Sequence, residues 1–304
     1  MIHYDLCLAW NWEYDRGFLG LLERTFRARR LFLLKVGPDV LGRTLSSLER
    51  GEVSARVFLD RASEADVRFL PLVDWALDSA VAMINPREKT VRAMNKACMH
   101  LEFITAGVHT PHTIILPPWV ERVHPGDIDL GPLGPRFFIK PAHGGGGEGV
   151  VREAETIEQV ASARREFPND HYLLQAHIRP AEFGARLGWF RVIYCGGLVF
   201  PCWWDPETHI YAPVTGDEEA LFGLGGVSST AAAIARVCGL DIFSTEIAVT
   251  PGGLPVAVDY VNDPIDLRLR SGTPDGVPDG IVEAIADRLA DLTLARLAPE
   301  KPRG

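Results

Sequence analysis

The stretch Phe137–Val151, FFIKPAHGGGGEGVV, sets a long cation at the mouth of the most flexible segment of the chain. An apolar strand-like run ends on Lys140 and Pro141. Gly144, Gly145, Gly146, Gly147 and Gly149 follow, interrupted by Glu148, and a second apolar run comes after them. Glycines let backbone N–H groups point inward together and let the chain approach an anion closely. The stretch therefore reads either as a hairpin with a glycine-rich turn or as a phosphate grip, and alone it leaves the two even. It is not a Walker A loop, in which the lysine follows the glycines and a helix comes next. A strand–glycines–strand layout is closer to the flexible cover that kinases lay over ATP phosphates.

The surrounding chain has 304 residues, with 47% hydrophobic and 23% charged residues and a net charge of −9. That length suits two or three packed domains, and that composition an ordinary globular protein. An acidic balance argues against a nucleic-acid partner, whose binding surface is basic. The basic cluster Arg24, Arg27, Arg29 and Arg30 reads as the solvated face of a helix. The five cysteines (Cys7, Cys98, Cys195, Cys202 and Cys238) show no CxxC spacing. Together with the lack of a signal-like N-terminus, they point to a reduced, cytoplasmic protein. No apolar run approaches the ~18 residues of a membrane span, so no membrane partner is expected.

Over the first 85 residues, short apolar runs alternate with amphipathic ones: YDLCLAW, RGFLGLLERTF, RLFLLKVG, DVLGRTLSSLERG, ARVFLD and AVAMIN. This alternation predicts an α/β unit with a parallel sheet, a Rossmann-like domain over 1–85. Pro71 should kink or split the helix around it. One helix is expected over REKTVRAMNKACMHLEFITAG, stopped at Gly107. A loop over 117–135 and a smaller α/β unit holding the glycine stretch carry the second domain to 180. From Gly188 the pattern is β-rich: a hairpin turning on Gly196–Gly197, a helix capped at Ser228 or Ser229, two strands joined by PGG, and a last helix with Ile281, Ile285, Leu289 and Leu292 on one face. These make a third domain over 181–304.

Several residues can carry chemistry. LLQAHI, ending at Ile178, is an apolar strand edge whose backbone can face an adenine ring, although periodicity alone reads it as a buried strand. Glu246, Asp259 and Asn262 stand in otherwise apolar strands, where a carboxylate needs a partner. Hard oxygen donors of this kind suit Mg²⁺, which takes one or two carboxylates plus substrate phosphates. His109 and His112 are too few for a metal site. Trp10, Trp12, Trp203 and Trp204 serve equally well as pocket walls or as core.

In this order, VAMIN, MNKACMHLEFITAGVHTPHTI, FFIKPAHGGGGEGV, LLQAHI, WFRVIYCGG, TAAAIARVCGLDIFSTEIAV and VAVDYVND resemble the ATP-grasp superfamily over about residues 80–270. The resemblance is nearest to the branch of RimK-type glutamate ligases and glutathione-synthetase-like enzymes. It implies an ATP-grasp fold, α+β in its nucleotide-binding part, behind the Rossmann-like domain. It implies that Lys96 and Lys140 contact ATP phosphates under the cover of Gly144–Gly147 and Gly149. Gln175, Ala176, His177 and Ile178 would take the adenine, and Glu182 the ribose. Arg191 would face the phosphates and the reacting intermediate, as a catalytic residue with Lys140. Glu246, Asp259 and Asn262 would hold Mg²⁺, with Mn²⁺ as the alternative ion. Two departures stand out. The family's last two metal ligands are spaced ExN, whereas Asp259 and Asn262 are three apart, with Asp263 as a substitute. The family's basic substrate strand is here VFPCWWDPETHIY.

The implied activity is an ATP- and Mg²⁺-dependent ligase joining a small-molecule carboxylate to an amine, an amino acid or peptide among them, through an acyl phosphate. Lysines, an arginine and a backbone nest would neutralise the triphosphate, and a mobile cover would keep water from the intermediate. The alternative is a non-catalytic nucleotide-binding regulator of the same fold. A Rossmann oxidoreductase is disfavoured, because no GxGxxG turn follows the first strand.

Overall fold

The first strand, β1 (Ile2–Trp10), alternates its side chains between two buried faces, Leu6 and Leu8 on one and Cys7 and Ala9 on the other. Burial on both faces is the mark of a parallel sheet covered by helices. In the computed structural model, which describes residues 1–123 and 128–298, α1 (Arg16–Ala28), β2 (Leu33–Val36), α2 (Leu41–Glu49), β3 (Val53–Arg61), α3 (Leu70–Asp78) and β4 (Ala82–Ile84) follow. Their four strands pair in parallel in the order β2-β1-β3-β4. Pro71 opens α3 after a 3-10 turn over Val67–Phe69, where its missing N–H costs nothing. Residues 124–127 of the expected loop and 299–304 of the expected third domain lie outside the described residues.

The single helix expected over 87–107 is two: α4 (Arg87–Met94) and α5 (Lys96–Thr105). Asn95 between them is extended, and its side-chain oxygen accepts from the Cys98 N–H at 2.9 Å, capping α5. A capping asparagine that satisfies a new helix start outcompetes continuation of the old one. Next come β5 (Thr113–Leu116), β6 (Phe137–Pro141), β7 (Val151–Ala154), α6 (Ile157–Ala163) and β8 (Tyr172–Ala176). They build an antiparallel sheet in the order β5-β8-β6-β7.

A short hairpin, β9 (Glu182–Phe183) and β10 (Arg186–Leu187), leads into β11 (Trp189–Cys195) and β12 (Leu198–Trp204). The latter two turn on Gly196 and Gly197, both with positive φ, as the sequence predicts. Then come β13 (Tyr211–Pro213), α7 (Gly216–Phe222), α8 (Gly225–Cys238), β14 (Ile242–Val249), β15 (Pro255–Asn262) and α9 (Asp279–Leu297). The sheet is antiparallel, in the order β13-β12-β11-β14-β15. Neither Ser228 nor Ser229 caps α8: the helix starts at Gly225, and Ser229 Oγ donates back to the Gly225 carbonyl at 2.9 Å. The sequence reading also passed over α7, whose capping box of Thr215 and Glu218 was legible.

The last helix closes the molecule. Ile285 and Leu289 of α9 are fully buried in one cluster with Leu6, Leu8 and Phe18 of the parallel unit and Ile193 and Cys202 of the five-stranded sheet. Arg29 leaves the expected solvated face and pairs with Asp287 and Asp291 of α9. Asn85, at φ 59°, accepts from the backbone N–H groups of Asp241 and Ile242 at 2.8 and 3.0 Å, tying the end of β4 to the start of β14.

Candidate functional site

The glycine stretch occupies the turn between β6 and β7. Gly144, Gly146, Gly147 and Gly149 all have positive φ, which L side chains rarely adopt. A side chain at Gly144 to Gly147 would meet nothing within 4 Å, so this part of the loop stands clear of the body. Its base is held firmly. His143 N–H donates to Asp170 Oδ2 and the His143 ring bonds Asp170 Oδ1, both at 2.8 Å. Glu148 is exposed and forms no ion pair among the described residues.

Lys96 enters because the helix breaks. The Lys96 N–H donates to the Ala142 carbonyl at 2.8 Å, and its ammonium donates to the Gly144 carbonyl. The interruption at Asn95 thus aims this lysine at the loop.

Lys140 points from β6 toward the five-stranded sheet. Its ammonium donates to Gln175 Oε1 at 2.7 Å and to the Val258 carbonyl at 3.3 Å. Burial pulls its pKa below that of a free lysine, and the carboxylates of Asp259 and Glu246 work against that pull. Gln175 is buried, and its amide donates to the Tyr260 hydroxyl at 3.1 Å, which lies 2.6 Å from His100 Nδ1.

Arg191, Glu246 and Asp259 stand side by side across three strands: Arg191 is opposite Glu246, and Glu246 is opposite Asp259. Arg191 Nη1 donates to Glu246 Oε1 at 2.6 Å and Nη2 to Ser244 Oγ at 3.0 Å, while Trp189 Nε1 donates to Glu246 Oε2 at 3.1 Å. Burial alone would raise the Asp259 carboxyl, but the Lys140 ammonium and the Arg191 guanidinium outweigh it and hold it below the usual range. Burial also works to lower the Arg191 pKa, and Glu246, Tyr211 and Asp259 together more than reverse that.

The three-residue spacing of Asp259 and Asn262 has a local cause. Ser244 pairs with Asn262 and Glu246 with Asp259, so two steps on β14 oppose three on β15. A bulge absorbs the extra residue. Asn262 Nδ2 then reaches Asp259 Oδ2 at 3.0 Å. A second irregularity lies between Glu246/Asp259 and Ile247/Ala257, and Val258, whose carbonyl takes Lys140, sits in it. Asp263 goes elsewhere: its carboxylate accepts from Thr90 Oγ1 at 3.2 Å, and burial pushes it up to about 7.

Three cations, two carboxylates and an amide thus converge where two sheets and a helix start meet. The donor set fits Mg²⁺: two carboxylates and a side-chain amide, all hard oxygens, leaving room for phosphate oxygens. Among the described residues no group of three or more His, Cys, Asp or Glu side chains gathers as a metal site, here or elsewhere, so a cation at this site would rest on two carboxylates, the Asn262 amide and its ligand's own oxygens. His177 and Ile178 lie just past the end of β8, and the His177 ring packs 4.3 Å from that of Phe138. Glu182 is exposed on the β9–β10 hairpin and makes none of these contacts. Sequence reading missed Trp189, Ser244, Tyr260 and His100, which hold the charged groups in place. None lies in a motif that sets it apart.

No protein-family model and no curated protein sequence matches the chain. Solved structures do. A RimK-domain ATP-grasp protein from Sphaerobacter thermophilus superposes with a TM-score of 0.65 at 21% identity, over 94% of this chain and 98% of that one. The chain has the ATP-grasp fold. Two further ATP-grasp comparisons agree over almost the whole length. D-cycloserine synthetase gives a TM-score of 0.64 at 17% identity, with 95% and 99% covered. The D-alanine–D-alanine ligase of Bacillus anthracis, solved with ATP, gives 0.65 at 12%, with 98% and 99% covered. In this ATP-grasp fold, Lys96, Lys140 and the glycine loop lie on one side of the site and Arg191, Glu246, Asp259 and Asn262 on the other.

Proposed function

We propose that this chain is an ATP- and Mg²⁺-dependent ligase that joins a carboxylate to an amine. The observation that carries the reading is the convergence of Lys140, Arg191, Glu246 and Asp259, buried or half-buried, with Lys140 on the strand that leads into a glycine loop that stands clear. Buried charges are costly unless they serve one another or a ligand. Likeness of fold to two ligases, D-cycloserine synthetase and D-alanine–D-alanine ligase, supports the same class.

In this reading Lys96 and Lys140 bind the phosphates from the loop side. Arg191 offers a guanidinium to the charge that develops on the transferring phosphoryl group. Glu246, Asp259 and Asn262 would hold Mg²⁺, which when bound neutralises phosphate charge. A carboxylate substrate attacking the γ-phosphate gives an acyl phosphate and ADP, and an amine then displaces phosphate. The glycine loop closes over the site and keeps water from the acyl phosphate. We read the chain as three units, 1–85 preceding the nucleotide site, 86–180 carrying the loop and 181–304 the metal residues.

ADP formation over a panel of carboxylates and amines tests the reading. Activity should appear with one pair and vanish in Lys140→Ala and Asp259→Asn. MgATP binding without ADP release on any pair would make the protein a non-catalytic nucleotide binder instead.

A further inference from the structure

Helix α5 begins with Lys96, and His100 lies one turn further along the same face. Lys96 reaches the glycine loop directly, through the Gly144 carbonyl. His100 reaches Lys140 through two buried polar side chains, Tyr260 and Gln175. Its Nδ1 lies 2.6 Å from the Tyr260 hydroxyl, which accepts from Gln175 Nε2 at 3.1 Å, and Gln175 Oε1 accepts from the Lys140 ammonium at 2.7 Å. One helix thus addresses both lysines on the loop side of the site.

We propose that His100 is a positioning residue for the nucleotide site: its unprotonated Nδ1 accepts a hydrogen bond from the Tyr260 hydroxyl, and this holds the Gln175 amide with its oxygen turned to Lys140. The nucleotide rests on the ligase reading. The direction of the hydrogen bonds rests on the donors and acceptors alone.

The direction is set from the lysine end. An ammonium only donates, so the group facing it must be the amide oxygen of Gln175. The amide nitrogen then faces the other way and donates to the Tyr260 hydroxyl at 3.1 Å and to Thr113 Oγ1 at 3.5 Å. Thr113 Oγ1 gives its own hydrogen to the Pro111 carbonyl at 2.8 Å. The Tyr260 oxygen, having accepted from Gln175, has its own hydrogen left for His100. The reverse assignment, with the hydrogen on Nδ1, gives the phenol oxygen two donors and leaves its hydrogen to compete with the amide for Thr113 Oγ1. Burial acts in the same sense, since it keeps the His100 ring and the Tyr260 phenol neutral.

Packing leaves the chain of groups little freedom. The Tyr260 ring stacks on the His100 ring at 5.9 Å and is met edge-on by Phe103 at 5.1 Å. Without an acceptor at His100, the phenol hydrogen turns to Thr113 Oγ1 and competes with the amide there. Gln175 can then present its NH₂ group to Lys140, donor against donor. Lys140 would keep the Val258 carbonyl at 3.3 Å and lose its shorter acceptor. A charged donor away from bulk water that loses an acceptor is not fully compensated by solvent.

The test uses the full chain and MgAMPPNP. Nitrogen NMR spectra without nucleotide should show the His100 ring protonated at Nε2 and the Lys140 ammonium protected from exchange with water. Tyr260→Phe, which keeps the ring, should remove that protection. Tyr260→Phe and His100→Leu should each weaken MgAMPPNP binding roughly three- to tenfold, as one hydrogen bond lost. The double variant should lose no more than the larger single, because both break one chain. His100→Asn, whose side-chain oxygen can accept from the phenol, should recover most of the loss seen in His100→Leu. A ring protonated at Nδ1, additive losses, or an affinity unchanged in both single variants while the melting temperature falls overturns the proposal. Failure of the wild type to bind MgAMPPNP would sink the ligase reading, and the Lys140 exchange rate would still decide the positioning: a rate unchanged in Tyr260→Phe refutes it.

Discussion

The ammonium of Lys140 and the side-chain oxygen of Gln175 lie 2.7 Å apart, joining β6, the strand that leads into the glycine loop, to its neighbour β8. Gln175 stands where the resemblance places adenine recognition, yet its side chain is turned inward to Lys140 and Tyr260. It positions the lysine. A hydrogen bond to a charged group contributes about 1.5–3 kcal/mol. Gln175→Leu should therefore raise the KM for ATP roughly tenfold, with the ATP-to-GTP preference unchanged. Gln175→Glu, which keeps an acceptor for Lys140, should restore most of the loss. A change in base preference with unchanged KM would show that the side chain reads the base instead.

The buried pair Asp15–Arg61 makes a stability prediction. Removing one partner strands a charge that water cannot reach, at a cost of about 3–5 kcal/mol. Asp15→Ala and Arg61→Met should each lower the urea midpoint strongly. The double variant should lose less than the two singles added together, because the pair fails as a unit.

Within the loop the glycines separate by backbone and by space. Gly145 lacks a positive φ, and a Cβ added there would meet nothing within 4 Å, so Gly145→Ala should leave the melting temperature unchanged. Gly149, at φ 67°, would place a Cβ 2.5 Å from the Phe167 ring. Gly149→Ala should destabilise by about 1–3 kcal/mol and loosen the loop's return into β7, read as faster proteolysis of the loop.

His100 is buried against Tyr260, and burial lowers its pKa below the ordinary 6.5, with His112 adding to the effect. Folding therefore favours the neutral ring. The stabilisation is complete above the unfolded value and is lost as pH falls from about 6.5 through the folded pKa. Wild type should lose thermal stability over that interval faster than His100→Asn, which keeps a polar group near Nδ1 but cannot titrate. Parallel Tm–pH curves for the two would remove His100 as the cause.

The break at Asn95 and the bulge at Tyr260–Val261 mark where sequence reading stopped. A continuous helix is what local propensity prefers over 87–107, since nothing nearby in sequence reveals the Ala142 carbonyl that receives the Lys96 N–H. The three-residue spacing of Asp259 and Asn262 departs from the ExN spacing that the resemblance implies, and nothing within the strand itself shows how the extra residue is accommodated. Cross-strand register, which is set by the partner strand, turned three residues into two steps.

What the sequence determined by itself is local and periodic. Apolar alternation specified the strands of the parallel unit, paired glycines the β11–β12 turn, and the order of charged residues the ATP-grasp resemblance. Such signals are carried by neighbours within a few positions. Tertiary structure alone decided which charges meet. Arg61 reaches Asp15 and Ile265, His100 reaches Tyr260, and Lys140 reaches Val258 across 118 positions of chain. Those pairings depend on how sheets face one another, and burial gives them their strength by removing the water that would otherwise screen them.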